Sequence, residues 1–213
     1  MAIQIAKAVG ATSVAMVSGQ DKFDYCMKLG AKGCINRNDF DHWGMLPHWK
    51  DNAGYGKWLK GVRSFGAKIW EVLGEKRAPN LVFEHPGEST IPSSIFVCET
   101  GGMVVVCAGT SGYNATVDLR YLWMRQKRLQ GSHFANTVQC NEMNQLALRG
   151  ELDPCMSRAF VYNELPDAHL LMHDNKHPHG NMAVLIGAPK FGLGASGKPE
   201  VEMVHPVLPK GDV

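Results

Sequence analysis

The chain has 213 residues, of which 45% are hydrophobic and 20% charged, and its formal net charge is +2. This composition excludes a disordered protein, because enough apolar surface is available to offset the entropy of ordering the chain. It also excludes a membrane-spanning helix, which needs about 20 consecutive apolar residues, and a nucleic-acid-binding surface, which needs clustered basic residues. The six cysteines form no C-x-x-C pair and there is no export signal, so we expect a cytoplasmic protein with reduced thiols and no metal.

The first part of the chain alternates helix and strand patterns with glycines at the breaks. These patterns predict a helix over 1–10, a strand over 12–17, a helix over 20–29 and a strand around 32–36. Residues 37–57 are rich in aromatics, proline and glycine and have no period, which is typical of a functional or interface insertion. A helix over 57–75 then carries one apolar face, formed by Trp58, Val62, Phe65, Ile69 and Val72.

The second part continues the alternation. Strands are predicted over 80–83 and 103–107 and in the segment leading to His133, with helices near 89–98 and 119–126 between them. The remaining predicted elements are a helix over 138–148, a strand over 157–162, a helix over 165–175, a strand over 181–186 and an extended tail from 189. Strands that alternate with helices indicate an α/β protein with a Rossmann-type, doubly wound parallel sheet.

The alternation begins on a helix rather than on a strand. In the doubly wound order 3-2-1-4-5-6, the first strand is central and its glycine-rich turn holds the cofactor pyrophosphate. We therefore expect a sheet that lacks its first strand and glycine-rich loop, within an incomplete NADP-binding domain over 1–155 that includes the 37–57 insertion. Residues 156–213 are expected to return toward a catalytic domain that is missing from the sequence.

Three short motifs are weak when their context is considered. The string GLGASG at 192–197 matches G-x-G-x-x-G, but Lys198 and Pro199 follow it where a phosphate-binding loop needs a helix. The histidines of HDNKHPH at 173–179 have metal-like spacing, but Pro178 and Gly180 interrupt them and no thiolate accompanies them. Ser111 in GTSGY lacks the G-x-S-x-G spacing of a nucleophile elbow, so a serine hydrolase is excluded.

The end of the strand over 12–17 favours NADP as the cofactor. An acidic residue at this position binds the ribose hydroxyl of NAD, whereas small and basic residues accommodate the 2′-phosphate of NADP. Here VAMV is followed by Ser18 and, four residues later, Lys22, with no carboxylate at the strand end itself. Ser18 and Lys22 are therefore candidate phosphate-binding residues, although Lys22 also fits a solvated helix position.

Two later strand ends are candidate neighbours of a nicotinamide ring. Ligands of open parallel sheets bind beyond the carboxyl ends of the strands. His85 follows the strand over 80–83, and Ala108 and Thr110 follow the strand over 103–107. The same spacing also fits ordinary strand-to-helix turns, so the pattern leaves both interpretations open.

Longer stretches of the sequence resemble a known family. The segment AIQIAKAVGATSVAMVSGQDKFDYCMKLGA resembles the nucleotide domain of medium-chain dehydrogenases/reductases, just after their glycine-rich loop. The stretches FEHPGESTIPSSIFVCETGGMVVVCAGTSGY, DLRYLWMRQKRLQGSHFAN and NDFDHWGMLPHW resemble crotonyl-CoA carboxylases/reductases more specifically. This resemblance extends from residue 1 to about residue 188.

The resemblance implies a zinc-independent, NADPH-dependent conversion of crotonyl-CoA and CO2 to (2S)-ethylmalonyl-CoA by a homodimer or homotetramer. Carried onto this chain, His133 in GSHFAN matches the family's CO2-site histidine, although without the resemblance it reads as a core or strand-end histidine. Arg120 and Tyr121 in DLRYLW match positions that bind coenzyme A. The family's catalytic domain, its other CO2-site residues and its glycine-rich loop have no counterpart here, so activity of this chain by itself is not expected.

Two other functions compete with the reductive carboxylase. The first is a plain NADPH-dependent enoyl-CoA reductase that protonates the enolate instead of carboxylating it. The second is a non-catalytic fragment that associates with itself through the aromatic residues of 37–57. His133 and the DLRYLW segment favour the carboxylase over both.

Overall fold

A computed structural model of the chain describes residues 1–186, in which helices and strands alternate as predicted. The helices are α1 Ala2–Ala8, α2 Phe23–Lys28, α3 Asn52–Leu73, α4 Ile91–Val97, α5 Leu119–Trp123, α6 Thr137–Leu148 and α7 Leu165–His173. The strands are β1 Val14–Val17, β2 Gly33–Asn36, β3 Leu81–Glu84, β4 Met103–Val106, β5 Arg128–Gly131, β6 Met156–Val161 and β7 Asn181–Leu185. The α/β fold with parallel strands is thus confirmed, and the contacts divide it into two compact units.

The larger unit, Gly10–Phe134, contains two parallel sheets. In the first, β1 pairs with β2, and Val17 lies opposite Asn36 at the end of the ladder. The second has the order β3-β4-β5. Among the described residues no ladder joins β1 to β3, and each of these strands has one edge that is not paired. In a doubly wound sheet, the first strand lies between the strands that correspond to β1 and β3.

The long helix α3 provides the core of this unit. Its buried residues are Trp58, Val62, Phe65 and Ile69, four of the five predicted for its apolar face. Ile35 of β2 and Val97 of α4 pack against them in one cluster. Spacings of three and four residues bring these side chains onto one side of the helix, which explains why the periodicity predicts the core correctly.

The segment between β2 and α3 differs from the predicted insertion. The helix begins at Asn52 rather than Lys57, because the side chain of Asp51 accepts a hydrogen bond from the Gly54 amide at 3.0 Å and caps the helix. Phe40 and Trp43 pack edge-on against Phe65, with ring centroids 5.4 and 5.2 Å apart. These aromatic rings, which the sequence offers as an interface, are therefore used inside this unit.

The smaller unit comprises Ile3–Val9, which is most of α1, and the described residues from Ala135 onward. Here β6 and β7 form a parallel pair. The buried side chain of Gln4 joins α1 to the segment before β6. Its amide nitrogen donates to the carbonyl of Asp153 at 2.9 Å, and its oxygen accepts from the amide of Asp153 at 2.6 Å. The contacts group α1 and α6 with the C-terminal strands in this smaller unit. The domain boundary that the sequence predicts after residue 155 stays a prediction.

Within residues 1–186, every helix is too short or too polar to span a lipid bilayer. The GLGASG string and the predicted tail from 189 lie outside the described residues.

Candidate functional site

The carboxyl ends of β3, β4 and β5 form one edge of the three-stranded sheet. Glu84, Val106 and Gly131 are partners across the ladder. The pairing continues beyond the strands, since the Cys107 amide donates to the Glu84 carbonyl at 3.2 Å and the Ser132 amide donates to the Val106 carbonyl at 2.8 Å. The residues that follow the three strands are therefore neighbours. We call this position, which includes the predicted residues His85, Ala108 and His133, the carboxyl edge.

Two loops at the carboxyl edge, 85–90 and 107–114, brace one another. Both the amide and the hydroxyl of Ser111 donate to the carbonyl of Pro86, at 2.8 and 2.7 Å, and the Ser111 hydroxyl accepts from the Ser89 amide at 3.0 Å. Gly87 has φ +84°, and a Cβ there would lie 2.9 Å from the Cα of Gly109. Only glycine fits this approach. Ser111 thus holds the loops together, and His85 and Thr110 lie on them, so the structure brings these predicted residues near each other.

A buried carboxylate fixes the first of these loops. The side chain of Glu84, 3% exposed, accepts hydrogen bonds from the hydroxyls of Thr90 and Ser94 and from the Gly87 amide. A buried charge is tolerated when hydrogen bonds replace its lost water. Glu84 therefore has a structural role under the loop. The sequence offers one signal for it, an acidic residue that ends an apolar strand.

Ser18 and Lys22, the predicted phosphate-binding pair, lie together at the end of β1. The Lys22 ammonium donates to the Ser18 hydroxyl at 2.8 Å, and the Asn38 side chain donates to the Ser18 carbonyl at 2.7 Å. Both side-chain contacts are exposed to solvent. Because Val17 pairs with Asn36, the next positions, Ser18 and Arg37, are neighbours too. Sequence reasoning missed Asn38 and Arg37, although both directly follow β2.

Arg120 and Tyr121 belong to a separate polar cluster at the start of α5. The Arg120 guanidinium forms a two-bond contact with Asp118, at 3.0 and 2.7 Å, and the Tyr55 hydroxyl donates to the same carboxylate at 2.7 Å. The hydrogen bonds from Arg120 hold the pKa of Asp118 below its usual value. The hydroxyls of Tyr121 and Tyr55 are 3.3 Å apart. The predicted coenzyme A residues are adjacent, but a carboxylate already engages the arginine.

His133 is exposed beyond the end of β5. Its ring stacks on that of Phe134, with centroids 3.8 Å apart and planes tilted by 44°. Phe134 has φ +56° and is 89% exposed. The two rings are therefore open to solvent beyond the end of β5.

Comparison with known proteins gives consistent relatives. The family model described as zinc-binding dehydrogenase matches residues 1–149. A crotonyl-CoA carboxylase/reductase of Cereibacter sphaeroides is 53% identical over 192 residues, which are 90% of this chain and 44% of that protein. A crotonyl-CoA reductase of Streptomyces avermitilis is 38% identical over 193 residues, which are 91% of this chain and 42% of that protein. The chain thus spans less than half the length of these curated relatives.

Solved structures show the same similarity. The structure of the crotonyl-CoA carboxylase/reductase AntE in complex with NADP is 54% identical, with a TM-score of 0.86 and coverage of 89% of this chain and 47% of that one. The 2-octenoyl-CoA carboxylase reductase CinF, in complex with NADP and 2-octenoyl-CoA, is 33% identical with a TM-score of 0.77, covering 93% of this chain and 43% of that one.

The name of the matching family implies a zinc ion. Zinc needs three or four sulfur, nitrogen or carboxylate ligands around one point. In residues 1–186, no group of three or more His, Cys, Asp or Glu side chains meets this requirement. The residues that the structure describes do not fit a zinc ion.

Proposed function

Because this chain belongs to the zinc-binding dehydrogenase family, we propose that it forms the nucleotide-binding half of an NADPH-dependent crotonyl-CoA carboxylase/reductase. The whole enzyme would convert crotonyl-CoA and CO2 into (2S)-ethylmalonyl-CoA, as a homodimer or homotetramer. The observation that carries the proposal is the carboxyl edge. There His133 follows β5, and β5 pairs with β4, the strand that precedes the second braced loop. This is the edge at which parallel sheets bind their ligands.

The unpaired edges of β1 and β3 support a further, central strand supplied by residues beyond this sequence. Leu81 and Phe83 lie on one face of β3 and are 58% and 57% exposed, which suits a sheet face that a further segment of the whole protein covers. The segment that contains the central strand would also bring the glycine-rich turn that holds a pyrophosphate. We expect the 213-residue chain alone to bind NADPH weakly and not to turn over crotonyl-CoA.

Titration of the purified chain with NADPH, followed by nucleotide fluorescence, tests this expectation. A longer polypeptide that includes the preceding coding sequence serves as the comparison. Micromolar binding by the monomeric 213-residue chain would refute the proposed central strand.

The contact between Ser18 and Lys22 supports NADPH over NADH. A phosphate between the hydroxyl and the ammonium would replace their mutual hydrogen bond with two charge-assisted ones. A hydrogen bond to a charged group contributes about 1.5–3 kcal/mol, and about 1.4 kcal/mol is tenfold in affinity. We therefore expect the whole enzyme to prefer NADPH at least tenfold. Lys22→Gln should reduce this preference, whereas Lys28→Gln, on the exposed end of α2, should not.

Bound NADPH would supply a hydride to the β-carbon of the enoyl thioester. The side chains at the carboxyl edge would then stabilise the negative charge that develops on the CO2 oxygens when the α-carbon attacks CO2. His133 would donate a hydrogen bond to the forming carboxylate, directly or through water. The braced loops would hold the reacting groups and exclude water from one side.

A His133→Ala variant of the whole enzyme tests the role of this residue. Loss of one such donor typically costs about 2.7–4 kcal/mol of transition-state stabilisation. The ratio of carboxylated to simply reduced product should therefore fall, measured by product mass with and without bicarbonate. An unchanged ratio removes His133 from the CO2 site.

Arg120 and Tyr121 would bind coenzyme A. The Nε and Nη2 groups of Arg120 contact Asp118, which fixes the plane of the guanidinium and leaves Nη1 to donate to a phosphate. Tyr121 would contribute an apolar face with a polar tip. An increase in KM for crotonyl-CoA in Arg120→Met, with the NADPH affinity unchanged, is the expected result.

The second candidate is a reductase without carboxylation. It is favoured by the Streptomyces avermitilis relative that is named crotonyl-CoA reductase, 38% identical to this chain. The whole enzyme can be assayed with crotonyl-CoA, NADPH and a saturating concentration of labelled bicarbonate. A reduced product that contains no labelled carbon would support the reductase over the carboxylase.

A further inference from the structure

A cavity of about 580 Å³ lies at the opposite end of the three-stranded sheet from the carboxyl edge. Its lining includes Pro79, Thr100 and Lys127, which lie one to three residues before the starts of β3, β4 and β5 respectively. Trp70 of α3 and Phe96 of α4 supply aromatic surface. The volume is in the range of about 300–1,000 Å³ that small-molecule pockets occupy. Tyr121, a predicted coenzyme A residue, also lines this cavity, whereas the predicted cofactor residues Ser18, His85, Ala108 and Thr110 do not.

The amine of Lys127 is held in this cavity without a carboxylate partner among the described residues. Its Nζ donates to the carbonyls of Ile95 and Phe96 at 2.6 and 3.2 Å, in the last turn of α4. A neutral amine has two N–H groups and one lone pair. Both hydrogen bonds can therefore persist when the third proton leaves, and the lone pair takes the position of that proton.

Burial of Lys127 favours the neutral form of its amine, in opposition to the two α4 carbonyls, which favour the charged form. Burial lowers the pKa of Lys127 to about 8, and the charge of Arg125 lowers it further, while Cys98 acts in the opposite direction. Near neutral pH, a far larger fraction of this amine is therefore neutral than of an ordinary lysine, whose pKa is about 10.4. A neutral, buried amine is the form in which lysine acts as a nucleophile.

The other charged side chains around the cavity indicate which class of ligand could bring an electrophilic carbon to Lys127. Arg63 and Arg125 are exposed residues in the lining, whereas Glu99, the one carboxylate that lines the cavity within residues 1–186, accepts a hydrogen bond from Asn80. A ligand with phosphates and an apolar tail would pair with the arginines and bury its tail against Trp70 and Phe96. An acyl thioester of a phosphorylated carrier has this combination of groups.

We propose that Lys127 is an acylation site for acyl-CoA thioesters bound in this cavity. The neutral Nζ attacks the thioester carbonyl carbon, an N–C bond forms and the C–S bond breaks. The thiol leaves with the proton that the nitrogen releases, so no oxidant or reductant is needed. The proposal rests on the proposed function in one respect, that the enzyme's own substrates are thioesters of this class. The amide product has one N–H in place of two, so one of the two α4 carbonyls loses its donor.

The test is incubation of the chain with butyryl-CoA near pH 7.5, followed by proteolysis and quantitative mass spectrometry of each lysine. Butyryl-CoA has no double bond, so it reports acylation independently of reduction or carboxylation. Lys76 is the internal control, because it is exposed and its Nζ lies 5.1 Å from the ring of Trp70, which also lines the cavity. We expect Lys127 to be acylated at least tenfold faster than Lys76, with a half-maximal rate near pH 8.

Variants and denaturation separate the fold from simple reactivity. Lys127→Arg should remove the fast acylation, and the matched Lys76→Arg should leave it unchanged. The preference for Lys127 should disappear in urea, where the cavity is lost. Equal labelling of all lysines in the folded chain, or an unlabelled Lys127 beside a labelled Lys76, would overturn the proposal while leaving the carboxylase assignment untouched.

Discussion

We expect His42 to make the larger unit sensitive to acid. Its side chain is 5% exposed, it packs against the rings of Trp43 and Phe65, and neither ring nitrogen has a hydrogen-bond partner. Burial lowers the pKa of His42 from 6.5 to about 4, although the nearby Asp41 acts in the opposite direction. The imidazole is therefore neutral in the folded chain at neutral pH.

The direction of the pH dependence follows from linkage. The unfolded chain takes up a proton near pH 6.5, whereas the folded chain does so only near pH 4. The stability contributed by neutral His42 is thus fully present above pH 6.5 and is lost as the pH falls toward 4. At about 1.36 kcal/mol per pKa unit, the total loss is about 3 kcal/mol, of which about 2 kcal/mol is lost by pH 5.

Urea unfolding at pH 7 and pH 5, followed by tryptophan fluorescence, measures this loss. His42→Phe has no titrating group and a similar ring, so its free energy of unfolding should depend on pH less than that of the parent chain. The matched control is His48→Phe, because His48 is exposed. Equal losses between pH 7 and pH 5 in the parent chain and in His42→Phe would refute the argument.

Three further substitutions test the packing. Glu84→Leu leaves the donors of the first braced loop unpaired, so we expect a loss of about 2–3 kcal/mol in urea unfolding; a smaller loss than in an exposed Glu→Leu control would contradict this role. Gln4→Leu breaks both hydrogen bonds to Asp153, and we expect faster amide exchange in α1 with β4 unchanged; unchanged α1 exchange would argue against the contact. In Gly87→Ala the new methyl group would clash with the backbone of Gly109, so this substitution should lower the melting temperature more than Gly101→Ala. Gly101 has a similar positive φ but open space around it, so equal shifts in melting temperature would show that backbone strain alone matters.

Much of the fold is predictable from the sequence because each signal is local. Strand and helix order follows from apolar runs between glycines, and the apolar face of α3 follows from its spacing. The start of α3 is not predictable in this way. Residues 52–56 have a weak apolar pattern, and they are helical because Asp51 caps the helix and Tyr55 packs against Trp58, with ring centroids 5.6 Å apart.

The candidate site is predictable only in part. Strand ends identify His85, Ala108 and His133 as neighbours, since parallel strands bring their carboxyl ends to one edge. The contact of Tyr55 with Asp118 is different, because it joins α3 to the N-cap of α5, far apart in the sequence, and no local pattern reports it. The contact of Arg120 with Asp118 is local, since the two residues are two positions apart, but the sequence resemblance alone does not indicate that the arginine is engaged.

The bracing of the two loops at the carboxyl edge has a consequence for protein engineering. Ser111 reaches across to Pro86 and Ser89, and Gly87 lies against the backbone of Gly109. If only one loop is exchanged for that of a relative, the other loop loses the hydrogen bonds and the close backbone packing that hold it in place. Chimeras designed to alter acyl-chain or cofactor preference should therefore transplant 85–90 and 107–114 together, and variants in which only one of the two loops is randomised should lose the hydrogen bonds between the loops and be less stable.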